Sequence, residues 1–240
     1  MLIEFITFTY IYDNNNAILV VMNTNNLKKY KQLREKYPCF TYEKYHISID
    51  NEKIIIKYFF NINKEYFFEP SIEILFGKLP KQDNLSVSQL ENLVFHIGMI
   101  ELISYWKASC SPKLIIKAHK LNDKQIKWWK NIYFQGLGEF FYVNMINANI
   151  DDFINIETTG EKLFNKQSFT LNDNYIVPVG GGKDSIVSLQ LLKKSGLEIT
   201  PLIMNPREAS EKCAKLSGFD KSNTIIINRK LDKKLLELNA

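Results

Sequence analysis

Short β-branched and aromatic runs dominate the first third of the chain, and longer stretches of helical period dominate the rest. Ala17–Met22 (AILVVM) is a short apolar run. Leu27–Tyr37 (LKKYKQLREKY) predicts a helix ended by Pro38, whose ring nitrogen cannot donate a helical hydrogen bond. The segments YHISID, KIIIKYFFNI and SIEILFG follow, separated by the polar turns DNE and NKE. Such runs predict an antiparallel meander. From Ser86 the apolar residues fall at Leu90, Leu93, Val94, Ile97, Ile100, Ile103 and Trp106. That is a helical period, and the helix is apolar around enough of its surface to be buried. Ser88 and Glu91 have the spacing of a capping box at its start. KLIIKAH predicts a strand. A second box, Asn122 and Gln125, opens a helix that breaks at Gly136 and Gly138. Gly160–Asn174 is polar and turn-rich and is read as a domain boundary.

From Tyr175 the rhythm changes to β-α-β-α-β. YIVPV, EITPLIM and NTIIIN are the strands; the intervening helices are closed by Gly196 and Gly218. Strands alternating with helices of this length predict a parallel sheet with right-handed crossovers. The expected fold class is therefore α/β with an α+β N-terminal part. A strand-rich domain spans residues 1–165, and a Rossmann-like nucleotide-binding domain spans residues 170–240. Only three strands are expected in the second domain, fewer than a doubly wound sheet usually has. Either the chain is an N-terminal fragment or truncated homologue, the reading preferred here, or another chain completes the sheet. NTIIIN carries no charge, and as an open edge it would be a route to self-association.

Composition narrows the function less than the pattern does. The formal charge of +5 is spread over scattered lysines, which argues against a nucleic-acid-binding stripe and is compatible with an anionic ligand. Cys39, Cys110 and Cys213 include no C-x-x-C pair, so neither a zinc knuckle nor a redox pair is expected, and free thiols fit a reducing compartment. The start MLIEFITFTYIYDNNN has an acid at Glu4 and no basic region, unlike a signal peptide. No apolar run reaches the length of a membrane span. These features together suggest a cytoplasmic enzyme or binding protein with no membrane association.

The chemistry concentrates in IVPVGGGKDSIVSLQ, where a strand runs through three glycines into a helix. Glycines allow close approach of the backbone, and the helix N-terminus adds exposed N–H groups and partial positive charge, so the unit suits an anion. It is not a Walker A loop, because Gly182-Lys183 is followed by Asp184 and Val177 holds the first glycine position. It is not a dinucleotide fingerprint either, because Ser185 stands where the third glycine belongs. Gly180-Gly181-Gly182-Lys183-Asp184-Ser185 does resemble the PP-loop of ATP pyrophosphatases, Ser-Gly-Gly-x-Asp-Ser, with Gly180 replacing the first serine. The resemblance implies ATP as cosubstrate, cleaved to AMP and pyrophosphate. It also implies phosphates held by Gly180, Gly181 and Gly182, a hydroxyl donor in Ser185, and Mg²⁺ at Asp184. Lys183 is the variable position of the motif. The adenine is expected near Met204 and Asn205, at the C-terminal end of the next strand.

The segments FHIGMIELISYWKASCSPKLII, WWKNIYFQGLGEFFYVN and VPVGGGKDS are together similar to the UDP-N-acetylmuramoyl-L-alanyl-L-glutamate epimerase family of bacterial peptidoglycan synthesis. The resemblance covers roughly residues 40–240. It implies a UDP-linked muropeptide substrate and ATP-dependent inversion of its terminal glutamate. Two other readings remain open: another PP-loop adenylating ligase or RNA-modifying enzyme, and a nucleotide-binding module without turnover. The acid and base are not identifiable from the sequence. His96, Glu101 and Lys107 share one predicted helix, but Glu101 and Lys107 equally suit ion pairs and His96 a hydrogen-bonded core position. Cys110, Trp128, Trp129 and Asn144 read as packing, core, edge and turn residues.

Overall fold

The computed structural model describes residues 25–50, 52–75, 85–169, 171 and 173–239. The apolar run Ala17–Met22, the chain start, and Phe76 and Gly77 of the third predicted strand lie outside the described residues. The first part contains α1 (Asn25–Lys36), β1 (Cys39–Ile49), β2 (Lys53–Ile62), β3 (Tyr66–Phe68), β4 (Ser71–Leu75) and α2 (Val87–Trp106). It continues with β5 (Lys113–Ile116), α3 (Asp123–Gly136), α4 (Gly138–Val143) and β6 (Asn155–Thr158). The second part is β7 (Asn174–Pro178), α5 (Lys183–Lys194), β8 (Glu198–Met204), α6 (Glu208–Leu216), β9 (Ile225–Lys230) and α7 (Lys233–Asn239).

The nine strands among the described residues belong to one mixed sheet, in the order β6-β5-β1-β2-β4-β9-β8-β7, with β3 also pairing β2. The expected meander is present as antiparallel β1, β2 and β4. It is extended on one side by parallel β5 and β6 and on the other by parallel β9, β8 and β7. The antiparallel ladder from Ser71↔Lys230 to Leu75↔Ile226 joins the two halves. β1 begins at Cys39, six residues before the expected run. The short strands β3 and β6 have no counterpart in the sequence reading, because three or four residues carry too little periodicity to be read.

NTIIIN is not an open edge. β9 is hydrogen-bonded to β8 on one side and to β4 on the other. Its isoleucines are therefore interior to the sheet, and the expected route to self-association through this strand is closed. Among the described residues the two ends of the main strand order are β6 and β7, and β3 pairs on one side only.

Strand alternation sorts the core. In β2 the inward residues Ile56, Tyr58, Phe60 and Ile62 are at most 2% exposed, two apart as a pleated strand requires. They meet Tyr42 of β1, Phe68 of β3, and Phe95 and Tyr105 of α2 in an aromatic cluster with ring centroids 5.1–6.2 Å apart. A second, smaller core forms where Val177, Ile203 and Ile226 meet Leu189 of α5 and Cys213 and Ala214 of α6. Because α5 and α6 both pack on this face, Ile227 and Arg229, at odd positions of β9, point to the opposite face, toward α2.

α2 is capped by Ser86 and Gln89, not by the pair Ser88 and Glu91. Gln89 N–H donates to Ser86 Oγ at 3.2 Å, and Ser86 N–H donates to Gln89 Oε1 at 2.9 Å. The helix starts at Val87, two residues earlier than the apolar period suggested, so Ser88 lies already inside the first turn. The Asn122–Gln125 box at α3 is present as expected.

Gly98 lets α2 lie against the sheet. A Cβ there would collide with the Tyr42 ring and hydroxyl and would sit 2.7 Å from Tyr58 Cε1. Both rings are fully buried and have nowhere to move. Replacing glycine by alanine in a helix gains about 1 kcal/mol, while overpacking a core costs about 1–3 kcal/mol. Gly98→Ala is therefore expected to lower the urea midpoint, whereas the same change at Gly136, which has open space around it, should leave it unchanged or raise it.

Candidate functional site

The glycine loop lies at the end of β7, the outermost parallel strand. Val179 N–H donates to Leu202 O at 2.8 Å, so the ladder with β8 continues up to the first glycine. Gly181 then takes φ +96, a conformation in which a side chain is strained. A Cβ there would also lie 2.7 Å from Ser210 N and 2.9 Å from Ala209 C. The loop is thus pressed against the first turn of α6, and the N-termini of α5 and α6 both lie at it. Gly182 is the N-cap of α5 and offers no side-chain acceptor to its first-turn amides. Gly180 N–H donates to Ser185 Oγ at 3.1 Å, which leaves the serine hydroxyl hydrogen to donate elsewhere. Asp184 is exposed in the first turn of α5. Lys183 is exposed beside it.

Met204 and Asn205 end β8. Met204 is 52% exposed. Asn205 has φ +50, and its groups are turned toward β9: its N–H donates to Ile227 O at 2.8 Å, and its Oδ1 accepts from Arg229 N–H at 2.7 Å. Arg229 in turn forks onto Glu101, with Nε–Oε2 at 2.7 Å and Nη2–Oε1 at 3.0 Å, and touches Ser104 Oγ at 3.2 Å. Two residues that the sequence left in separate parts, Glu101 and Asn205, are bridged by one arginine that no motif marked. Glu101 is therefore held in the ion pair that was its alternative reading.

The other residues of α2 behave differently. Lys107 is half-buried, and desolvation lowers its pKa while Glu139 acts in the other direction. It forms no ion pair among the described residues, contrary to the ion-pair expectation. His96 stacks on Trp129 at 5.7 Å, and its buried Nδ1 has no hydrogen-bond partner, so the hydrogen-bonded core histidine expected here is not formed. Burial lowers its pKa, and the neighbouring His119 adds to the shift. His96, Leu93, Ile97, Ile100, Trp128 and Trp129 line a groove of about 620 Å³ between α2 and α3. Cys110 is buried, and burial pushes its thiol up to about 12, which fits packing and not nucleophilic use. Trp129 is core and Trp128 is surface. Asn144 caps α4, donating to Phe140 O at 2.8 Å.

A further pair escaped the sequence reading. Tyr45 Oη lies 2.9 Å from His119 Nε2, and His119 Nδ1 lies 3.2 Å from Lys162 O. A carbonyl can only accept, so Nδ1 carries the hydrogen and Nε2 accepts from the tyrosine. The signal available was a histidine just past the end of the KLII strand, a common position for functional groups in parallel sheets.

Comparison with known proteins follows this geometry. Residues 31–240 match the family described as the MurL N-terminal domain. The chain belongs to this family. Relatives named UDP-N-acetyl-alpha-D-muramoyl-L-alanyl-L-glutamate epimerase include one from Micromonospora sp., 26% identical over 212 residues, covering 88% of this chain and 46% of that protein. One from Salinispora tropica is 25% identical over 222 residues, covering 88% and 45%. One from Xanthomonas oryzae pv. oryzae is 28% identical over 143 residues, covering 60% and 31%. The chain thus spans less than half the length of these curated relatives. No solved structure matches it. Among the described residues no helix is long and apolar enough to cross a membrane.

Two expectations follow from the site. Glu101 is 6% exposed at its side chain and Arg229 is 26% exposed, so removing one partner strands a buried charge, at a cost of about 3–5 kcal/mol. Arg229→Met should destabilise by about that amount, and Arg229→Met with Glu101→Leu should recover most of it, since an apolar pair replaces an ion pair nearly neutrally; urea melts of the two variants measure this. The second concerns pH. His96 and His119 both titrate below the usual 6.5 in the folded chain, chiefly because burial disfavours the charged ring. Below 6.5 the unfolded chain takes up protons that the folded chain does not, so stability falls as pH drops through that value. His96→Gln should shrink the stability difference between about pH 7.5 and about pH 5.5, measured by chemical denaturation.

Proposed function

We propose that the glycine loop binds ATP and that the chain serves ATP-dependent epimerisation of the terminal glutamate of a UDP-linked muropeptide. The single observation carrying the nucleotide half is the strand–glycine–helix turn at Gly180–Gly182. Gly181 has a positive φ there and no room for a side chain, and two helix N-termini meet at the turn. Backbone N–H groups and helix dipoles directed at one point suit a polyphosphate. The epimerase half rests on membership of the family and on the names its relatives carry.

In this reading the amides of Gly181 and Gly182 hold the phosphates, with the Ser185 hydroxyl as an added donor that the Gly180 N–H, expected to bind phosphate itself, instead holds in place. Among the described residues no cluster of three or more His, Cys, Asp or Glu side chains could hold a metal. Asp184 would hold Mg²⁺, which would supply charge neutralisation to the bound phosphates. The adenine lies by Met204 and by the backbone at Asn205, whose side chain already serves Arg229. Adenylation neutralises the glutamate carboxylate and acidifies its α-proton, so that a positioned base and acid can exchange it. Hydrolysis of the acyl-adenylate then returns the carboxylate and makes the step irreversible.

Asp184→Ala is expected to weaken Mg-ATP binding by about tenfold or more, corresponding to about 1.4 kcal/mol, with an unchanged melting temperature. Isothermal titration with Mg²⁺ and again with EDTA checks it: the variant should differ from the parent only when Mg²⁺ is present. Equal binding in both conditions removes Asp184 from the site. Release of AMP and pyrophosphate that depends on the muropeptide, with D-glutamate in the hydrolysed product, tests the epimerase reading. Dependence on RNA instead would move the chain to another adenylating class.

A further inference from the structure

The groove between α2 and α3 lies where α3 begins, past the carboxyl end of β5, and open α/β sheets place ligands at the carboxyl ends of their parallel strands. Its volume of about 620 Å³ is that of a small-molecule site. One wall is aliphatic, formed by Leu93, Ile97 and the exposed Ile100 of α2. The other is an aromatic corner. Trp129 is 2% exposed and stacks on His96, with ring centroids 5.7 Å apart and planes 18° apart. Trp128 is exposed and stands nearly perpendicular to Trp129, at 79° and 4.8 Å. A flat ring placed in this corner meets one indole face-on and the other by its edge. Trp129 Nε1, which can only donate, and His96 Nδ1 are both buried without a partner. Such unpaired atoms are rare in folded chains and mark places that accept a further polar group.

The polar groups that α3 contributes are all donors. In its capping box Asn122 Oδ1 accepts from Gln125 N–H and Gln125 Oε1 accepts from Asn122 N–H, both at 3.0 Å. A backbone N–H only donates, so each side-chain oxygen is used within the box and each NH₂ group is left over. Neither NH₂ group has a partner among the described residues. Lys124, between them, is exposed and forms no ion pair among the described residues. The first turn of α3 adds its partial positive charge. Asp123 of the same turn does not line the groove, and none of the described lining residues is acidic. A site of this kind takes a flat ring that carries carbonyl oxygens and is followed by an anion. A uracil ring with its diphosphate meets that description, whereas the amino group of adenine would meet only donors.

α2 links this groove to the glycine loop. Ser104 lies one turn beyond Ile100 on the same side of the helix, and Arg229 Nη2 donates to Ser104 Oγ at 3.2 Å. Arg229 N–H donates to Asn205 Oδ1 at 2.7 Å, and Asn205 follows β8 at the end of the sheet that carries the loop. We infer that the α2–α3 groove holds the uridine diphosphate end of the substrate, with the uracil against Trp128 and the diphosphate at Lys124 and the start of α3. The peptide end then extends along α2 toward the glycine loop. Trp128 and Lys124 are specificity determinants in this arrangement. That the substrate is UDP-linked rests on the proposed function; the preference for uracil over adenine rests on the donor set alone.

The chain contains three tryptophans, which give a direct readout. On titration of UDP into the isotope-labelled chain, the indole N–H signals of Trp128 and Trp129 should shift. That of Trp106, which is buried and donates to Ser111 O at 2.9 Å, should not. ADP at the same concentration should leave all three in place and should not displace UDP. Trp128→Ala should weaken UDP binding by about tenfold or more, the loss expected when a base-stacking ring is removed. Lys124→Gln should weaken it by about threefold or more and flatten its dependence on salt. Both side chains are exposed, so the melting temperature and the Mg-ATP titration should be unchanged in both variants. Failure of UDP to shift Trp128, displacement of UDP by ADP, or unchanged UDP affinity in both variants would overturn the inference. UDP binding in the groove without muropeptide-dependent release of AMP would leave it standing and remove the epimerase reading. Muropeptide-dependent turnover with an unchanged KM in both variants would do the reverse.

Discussion

The architecture depends on the ladder between β4 and β9. Five residue pairs, Ser71↔Lys230 to Leu75↔Ile226, turn an antiparallel meander and a parallel β-α-β-α-β unit into a single sheet. The meander buries its aromatic face under α2, and the parallel unit buries its own under α5 and α6. Ile227 and Leu235 of the second part pack on the main core and Leu75 of β4 packs on the smaller one, so this pairing and the side chains flanking it together set the mutual position of the two halves. Glu101 and Arg229 reinforce it from one face. Their bidentate pair has the α2 carboxylate almost wholly removed from water, so a shift of β9 against α2 would leave a buried charge uncompensated.

This constraint bears on the end of the sheet that carries the glycine loop. Arg229 binds Glu101 through its side chain and Asn205 through its backbone N–H, and Asn205 follows β8 at the C-terminal end of the parallel strands. The geometry of that end is thereby referred to α2 and to the aromatic core beneath it. The glycine loop is fixed by a different device: Gly181 packs directly on the Ala209–Ser210 backbone of α6. A positive φ and this close backbone approach leave no room for a side chain, which is why glycine stands there.

The candidate proton-transfer residues lie apart from the glycine loop. Glu101 is consumed by an ion pair and Cys110 by burial. His96 is left with an unsatisfied Nδ1 over the α2–α3 groove, and Tyr45 with His119 forms a polarised pair whose tautomer a backbone carbonyl sets. Burial lowers the proton affinity of both imidazoles, so each ring is neutral near pH 7, the state in which a histidine can accept a proton.

Local patterns were enough to read most elements and the strand–glycine–helix turn. KIIIKYFFNI alternates because one face of β2 is core, the Asn122–Gln125 box caps α3 as its spacing implies, and Gly180–Gly182 lie between β7 and α5 where a strand–glycine–helix sequence must put them. These features are encoded within a few residues, through side-chain period, backbone freedom and capping, so the sequence by itself determined them. Long-range pairing is not encoded that way. That NTIIIN would be an interior strand, paired by SIEIL more than 150 residues earlier, follows from which edges meet once both units have folded. The same holds for the choice of Ser86 over Ser88 as a cap, for the Arg229 bridge between Glu101 and Asn205, and for the Tyr45–His119 pair. Each joins groups whose individual sequence signals are ordinary, and only the tertiary structure, by bringing distant polar atoms within hydrogen-bonding reach, decided which would be used.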